Sequence, residues 1–322
     1  MNFNIQPINF NIANVRFKSN SNISQPKGSD LERNPKMDSF EMSIGYVNDA
    51  HGQTNNMMRI LSGIKGDLKL SAGDNDIGDE KNDAIHQATT KFLNIADIKA
   101  SALGNHEIDM SQKDCIDAIN RFNGLMLSIN FEQIPLEEQD PEDIQKYGRA
   151  DLKNHLTKSA VVEVKGEKIG LIGASPIDMM SRLTHPNYYT DCSVDDLDDT
   201  IELIQNEIDK FKEQNINKVI LVSHLGHKAD KFVAENIDGI DVIVGGHTHE
   251  LIKDIKEGEN LLYSKTGEPI IMTEAGRDGN YFGKLNLTFD KNGVITKAQN
   301  NLGETRSVSY THLRAHETLM NL

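Results

Sequence analysis

Five short runs carry side chains able to bind metal, and each follows a segment that reads as a β-strand: Asp49-Ala50-His51, Gly73-Asp74-Asn75, Gly104-Asn105-His106-Glu107, Ser223-His224 and Gly245-Gly246-His247-Thr248-His249. In an open α/β sheet the loops at the carboxyl ends of the strands gather at one crevice. The chain is therefore expected to fold so that carboxylate, amide and imidazole groups as distant as positions 49 and 249 meet at a single site.

The stretches between these runs support that architecture. Residues 43–47 read as a buried strand, 55–64 as a helix, 68–72 as a strand, 83–95 as a helix and 98–103 as a third strand. Strand, loop and helix alternate, which marks an α/β fold. Segments 160–164 and 168–173 flank Lys165-Gly166-Glu167, a hairpin signal. Leu197, Ile201, Ile204, Ile208 and Phe211 form the stripe of a helix that packs one face on a sheet. The β-branched segments 219–222 and 242–244 end just before two of the runs. Segments 270–273 and 282–289 are expected to close the second sheet, with Asp290-Lys291-Asn292-Gly293 turning into a last strand.

Bulk properties exclude some partners. Over 322 residues the formal net charge is −15, which argues against binding a nucleic-acid backbone or an anionic membrane surface. A phosphate-bearing substrate would then need local positive charge, which bound metals can supply. Cys115 and Cys192 are the two cysteines and lack C-x-x-C spacing, so they read as ordinary thiols. The first residues build no continuous apolar run of a secretory signal, and no apolar stretch of about 20 residues appears. As written, the chain reads as cytoplasmic. Residues 1–40 repeat Asn-Phe-Asn-Ile and then turn Ser, Asn, Lys and Pro rich, the composition of a disordered arm. Residues 303–322 read as a non-native tail, because the run from Ser307 to Thr318 looks like translated adapter sequence.

Taken in order, D-x-H, G-D-N, G-N-H-E-x-D, S-H-x-G and G-G-H-T-H resemble the calcineurin-like metallophosphoesterases, in the branch of 5′-nucleotidases and cyclic-nucleotide phosphodiesterases, over residues 41–302. The resemblance implies a four-layer α-β-β-α sandwich of two mixed sheets flanked by helices. It also implies two divalent ions, manganese or zinc first, with iron, cobalt or nickel also compatible with the donors. Asp49, His51, Asp74 and His249 would hold one ion, and Asp74, Asn105, His224 and His247 the other, with Asp74 as the bridge. Members of this branch are often exported, and a second, nucleobase-clamping domain usually follows the catalytic one. Such a domain is expected to be missing from this chain, with the tail from residue 303 in its place.

Two cations about 3.5 to 4 Å apart can clamp the attacking and leaving oxygens of a phosphoester. His106, beside Asn105, is expected to protonate the leaving alkoxide, and Asp109 to orient and charge its imidazole. Glu107 is expected to fix the loop. His227 reads as a solvent-facing or cap residue and Asp230 as a helix-start charge, with a supporting contact to His224 as the alternative. Asp74 to Asp79 resembles part of a calcium loop but has Ile85 where the twelfth-position Glu belongs. His86, His155 and His185 read as ordinary histidines; Tyr188, Tyr189, Tyr281 and Phe282 are candidates for stacking on a base, though such residues are more often core or rim. The expected activity is release of phosphate from nucleoside 5′-monophosphates or related nucleotides. The alternatives are a cyclic-nucleotide or nucleotide-sugar phosphodiesterase and, in another class, a noncatalytic metal-binding or interaction module.

Overall fold

The computed structural model describes residues 31–32, 39–77 and 83–305. The chain runs through β1 (Leu31–Glu32), β2 (Phe40–Val47), α1 (Thr54–Gly63), β3 (Leu68–Ser71), α2 (Asp83–Ile95), β4 (Ala100–Ala102), α3 (Gln112–Arg121) and β5 (Leu125–Leu127). A middle segment follows with β6 (Phe131–Gln133), α4 (Pro141–Tyr147), β7 (Ser159–Val164), β8 (Glu167–Ala174), α5 (Met179–Arg182) and β9 (Cys192–Val194). The remainder is α6 (Leu197–Glu213), β10 (Val219–Ser223), α7 (His227–Asn236), β11 (Val242–Val244), β12 (Leu261–Tyr263), β13 (Pro269–Thr273), β14 (Tyr281–Phe289) and β15 (Ile295–Glu304).

Thirteen of these strands build two mixed sheets, and β6 and β9 pair with each other in a separate antiparallel ribbon. The first has the order β1-β15-β14-β2-β3-β4-β5 and the second β12-β13-β11-β10-β8-β7. Their centres are parallel: β2 through β5 in one, and β8, β10, β11 and β13 in the other. Side-chain alternation sorts the residues into layers. Ile220 and Val222 of β10, with Ile169 and Leu171 of β8, point into the core between the sheets, where they meet Ile44, Tyr46, Leu68 and Leu70. Val219 and Leu221 point the other way, onto Ile204, Ile208 and Phe211 of α6. On the far side, Val47 packs with Met57 and Ile60 of α1 and with Phe92 and Leu93 of α2. Each such side chain contributes roughly 1.5–3 kcal/mol when fully buried. The result is the expected four-layer sandwich.

The hairpin between β7 and β8 turns through Lys165 and Gly166, both at positive φ, as a two-residue turn requires. One sheet assignment is corrected. β14 and β15 do not close the second sheet; β14 pairs antiparallel with β2, from Phe289 opposite Phe40 to Gly283 opposite Tyr46, and β15 pairs with β14. Leu285 and Leu287 of β14 join the inter-sheet core while its alternate residues stay half-buried, a pattern suited to an antiparallel strand covered on one face. The second sheet is closed by β13, the segment expected at 270–273, with β12 along its edge.

Within the stretch read as an arm, Leu31–Glu32 pairs with Lys297 and Ala298 of β15. The rest of that reading, apart from residues 39–40, lies outside the described residues; of the tail read from residue 303, Gly303 and Glu304 instead belong to β15 and Thr305 N–H donates to Asn280 O, while residues 306–322 lie outside the described residues. Among the described residues no helix is long and apolar enough to cross a membrane. The middle segment forms its own small cluster around Leu103, Met110, Phe131, Leu152, Met179 and Tyr189. A buried Asp191 ties it together by accepting hydrogen bonds from Gln112, Gln133 and Gln139.

Candidate metal centre

All five sequence runs lie at the carboxyl ends of parallel strands: Asp49 and His51 after β2, Asp74 after β3, Asn105 and His106 after β4, His224 after β10, and His247 and His249 after β11. Hydrogen bonds lace these loops to one another. Asp49 N–H donates to Gly73 O at 2.9 Å, His51 N–H to Asp74 O at 3.0 Å, His106 N–H to Asp74 Oδ1 at 2.9 Å and His247 N–H to Asp49 Oδ2 at 3.0 Å. Asp49, His51, Asp74, His247 and His249 all have positive φ. Left-handed backbone turns the chain sharply, and Asp and His tolerate it better than most residues. It still costs about 1–3 kcal/mol per residue and persists where surrounding structure enforces it. Gly104 permits the closest approach, since a Cβ there would stand 2.2 Å from Asp74 Oδ1.

The donors converge into three overlapping groups, each with its ligand atoms within 4.8 Å of one another: Asp49, His51 and His249; His51, Asp74 and His106; and Asp74, His224 and His247. His249 Nε2 lies 3.3 Å from Asp49 Oδ1. His51 Nε2 stands 3.8 Å from both Asp49 Oδ1 and Asp74 Oδ2, and His224 Nε2 stands 3.9 Å from Asp49 Oδ1 and 3.0 Å from Asp74 Oδ2. Asp49, Asp74 and His224 are buried. His51 Nε2, Asn105 Oδ1 and His224 Nε2 are enclosed without a well-formed hydrogen bond. Buried polar atoms rarely go unpartnered. Lone-pair donors on amide, imidazole and carboxylate groups, with no thiolate, are the set a hard or borderline divalent cation takes, so these residues fit the metals that the fold implies.

The electrostatics agree. Burial pushes Asp74 upward, but the His224 imidazole beside it, with His51 and His106, holds its carboxyl well below the usual range. Burial works against charge on His224, yet Asp74 and Asp49 carry it up to about 10. His106 rises to about 9, chiefly through its hydrogen bond with Asp109, against the effect of burial. Two buried carboxylates thus demand positive charge, which protons supply at the imidazoles when metal does not.

His106 Nδ1 lies 2.8 Å from Asp109 Oδ2, while Asp109 Oδ1 accepts the Thr184 N–H at 2.7 Å. Ser111, not Asp109, caps the following helix. Glu107 accepts the backbone N–H groups of Asp74 (2.9 Å), Asn75 (2.7 Å) and Gly104 (2.9 Å), so it joins two ligand-bearing loops. Three carboxylates at the site escaped sequence reasoning. Asp278 Oδ1 lies 3.1 Å from His51 Nδ1, Asp178 Oδ1 lies 3.2 Å from His247 Nε2, and Glu274 accepts from Glu250 N–H and from the Thr248 hydroxyl. Glu274 directly follows β13, the fourth parallel strand of its sheet, so the strand-end logic that found the other loops applies to it as well.

Asp230 stands in the first turn of α7, as expected. It is buried there, hydrogen-bonded to the Ser223 hydroxyl and packed close to Gly245, where α7 seats against the ends of β10 and β11. His227 opens α7 with its N–H on Thr248 Oγ1 and is only partly exposed. Asp76 pairs with the buried His86 at 2.7 Å, and Asp79 of the calcium-like run lies outside the described residues. Tyr189 is core, its hydroxyl on Met110 O, and Phe282 packs against the helices of the first sheet. Neither is offered to a base.

The model of the calcineurin-like phosphoesterase family matches residues 42–251. A "Probable 5'-nucleotidase" from Treponema pallidum is 28% identical over 295 residues, covering 80% of this chain and 47% of that protein. A 5'-nucleotidase from Diplobatis ommata is 32% identical over 219 residues, covering 65% and 35%. The chain thus spans about half the length, or less, of these curated relatives. Among solved structures, a 5'-nucleotidase precursor from Thermus thermophilus aligns with a TM-score of 0.67 at 24% identity, over 82% of this chain and 54% of that one. The calcineurin-like phosphoesterase YfkN from Bacillus subtilis aligns with a TM-score of 0.62 at 17% identity, over 88% and 99%. Those alignments speak to the fold. The family match covers every one of the five convergent loops, and on it the chain belongs to the calcineurin-like phosphoesterases.

Proposed function

We propose that this chain is the catalytic unit of a two-metal hydrolase that releases phosphate from nucleoside 5′-monophosphates or related nucleotides. The observation that carries the metal reading is the set of enclosed lone-pair atoms without a well-formed hydrogen bond, His51 Nε2, Asn105 Oδ1 and His224 Nε2, gathered around two buried carboxylates. Asp49, His51, Asp74 and His249 would hold one ion and Asp74, Asn105, His224 and His247 the other. Manganese and zinc both suit that donor set. The nucleotide part of the reading is supported by the names of the relatives.

When bound, divalent ions polarise the phosphoryl oxygens and lower the pKa of water at the site. The chain's own residues then supply position and a proton. Asp109 accepts from His106 Nδ1–H, which leaves Nε2 as the atom that carries the transferable proton. That side chain is 34% exposed, and Nε2 stands 4.0 Å from Asp74 Oδ2, so it borders the crevice from its open side. His106 Nε2–H donates to the departing ester oxygen, and the Thr184 N–H keeps Asp109 from turning away. Glu107 holds the Asp74 and Asn105 loops in register while this occurs.

The test is His106→Asn, assayed for phosphate release from a nucleotide panel with manganese and with zinc. Loss of a general acid lowers turnover roughly 10²–10⁴-fold. Metal content should not change. A variant as active as the parent would remove the acid role, and a parent that binds metal but turns over none of the panel would remove the proposed substrate class.

A further inference from the structure

We propose that Asp278 is a positioning residue for His51, fixing the tautomer that turns Nε2 toward the Asp49 carboxylate and so setting the affinity of the ion held by Asp49, His51 and His249. This rests on the metal reading above. Asp278 lies outside all five sequence runs, in the loop between β13 and β14. Its Oδ1 stands 3.1 Å from His51 Nδ1, and its Oδ2 stands 3.2 Å from Arg277 Nε, so the guanidinium steadies the oxygen that does not face the ring.

The backbone of Asp278 is separately anchored. Its N–H donates to Asp49 O at 2.6 Å, its carbonyl accepts from Asn56 Nδ2 at 2.8 Å, and its φ is 59°. A residue needed only for that turn could be glycine. The side chain does something further: an imidazole that donates Nδ1–H to a carboxylate keeps its lone pair on Nε2, and Nε2 is the buried, unpartnered atom between Asp49 and Asp74. Carboxylate partners of this kind orient ligating histidines, and losing one costs roughly 10- to 100-fold in metal affinity. His224 has a different anchor, the backbone carbonyl of Ala72 at 2.5 Å from its Nδ1, so the second ion is insulated from changes at position 278.

Asp278→Gly keeps the left-handed backbone and both main-chain hydrogen bonds while removing the carboxylate; Asp278→Asn keeps an acceptor oxygen. Manganese binding to the full chain, followed by equilibrium dialysis and by electron paramagnetic resonance, should show two equivalents in the parent. In Asp278→Gly one equivalent should weaken about tenfold or more and the spin-coupled signal of the pair should fade, while the other equivalent is retained. Asp278→Asn should restore most of the loss. Two parental affinities in Asp278→Gly would overturn the proposal while leaving the metal reading intact. A parent that held no manganese would overturn both. Independently of any variant, long-range ¹⁵N–¹H correlation of zinc-loaded parent should place the His51 proton on Nδ1, and a proton on Nε2 with Nδ1 bare would overturn the assignment.

Discussion

Glu107→Gln should destabilise the metal-free protein, and the size of the effect follows from its hydrogen bonds. Glu107 Oε2 accepts from Gly104 N–H and Asp74 N–H, both at 2.9 Å, while Oε1 accepts from Asn75 N–H at 2.7 Å and from Asn75 Nδ2 at 3.3 Å. A glutamine offers one oxygen. If it keeps the Oε2 position, the Asn75 N–H faces an amide NH₂; in the reverse orientation two backbone donors do. The better orientation therefore leaves one buried N–H unsatisfied, which costs about 1–3 kcal/mol. For a chain of 322 residues that lowers the melting temperature by roughly 1.5–4.5 °C. Burial, with the Asp74 charge beside it, pushes the Glu107 carboxyl up to about 7 and so makes its ionised form unfavourable in the fold; chelated parent and variant should be compared near pH 5, where both side chains are uncharged and differ in hydrogen bonding. Melts that coincide within about 1 °C would refute the claim that this carboxyl group joins the two loops.

Asp74→Asn should bind neither ion firmly and should lose activity, because the bridge is shared; a variant that keeps two equivalents by elemental analysis would contradict the ligand set. Gly104→Ala places a Cβ 2.2 Å from Asp74 Oδ1, so it should destabilise by about 1–3 kcal/mol in chemical denaturation and weaken metal binding, and a variant matching the parent in both would show that the loop has room. Asp230 is raised to about 7 by burial, against the Ser223 hydrogen bond and His224. A carboxyl whose folded pKa exceeds its unfolded one binds more protons when folded, so its contribution is full below about pH 4 and declines as pH rises toward about 7. Asp230→Asn should flatten the stability profile of metal-free protein between those limits; an unchanged slope would contradict the assignment.

The five runs were legible because each packs a ligand, a glycine or both into a few residues at a strand end, and such loops share one crevice whatever the details of packing. His106 and Asp109 were legible for the same reason, lying three residues apart. Asp278 and Asp178 were not, since neither stands beside a histidine in the sequence, and only the fold shows that each faces one; Glu274 was passed over although it follows a strand, because no histidine stands near it in the sequence. The sheet membership of Tyr281–Phe289 was misjudged because alternation along a strand reveals which face is buried but not which neighbour it pairs with. The middle segment escaped because its strands β6 and β9 are three residues long and its order depends on the polar contacts of Asp191, which leave no periodic trace.

The crossing of β14 to the flank of β2 bears on where this domain can be cut. The family match ends at residue 251, before β13, β14 and β15. An expression limit drawn there would retain every histidine and carboxylate of the proposed ligand set, yet it would strip the partners from β2 and β11 and leave two apolar strand edges unpaired. Unprotected edges recruit other chains. The protein so shortened would carry the right side chains and aggregate before it could use them.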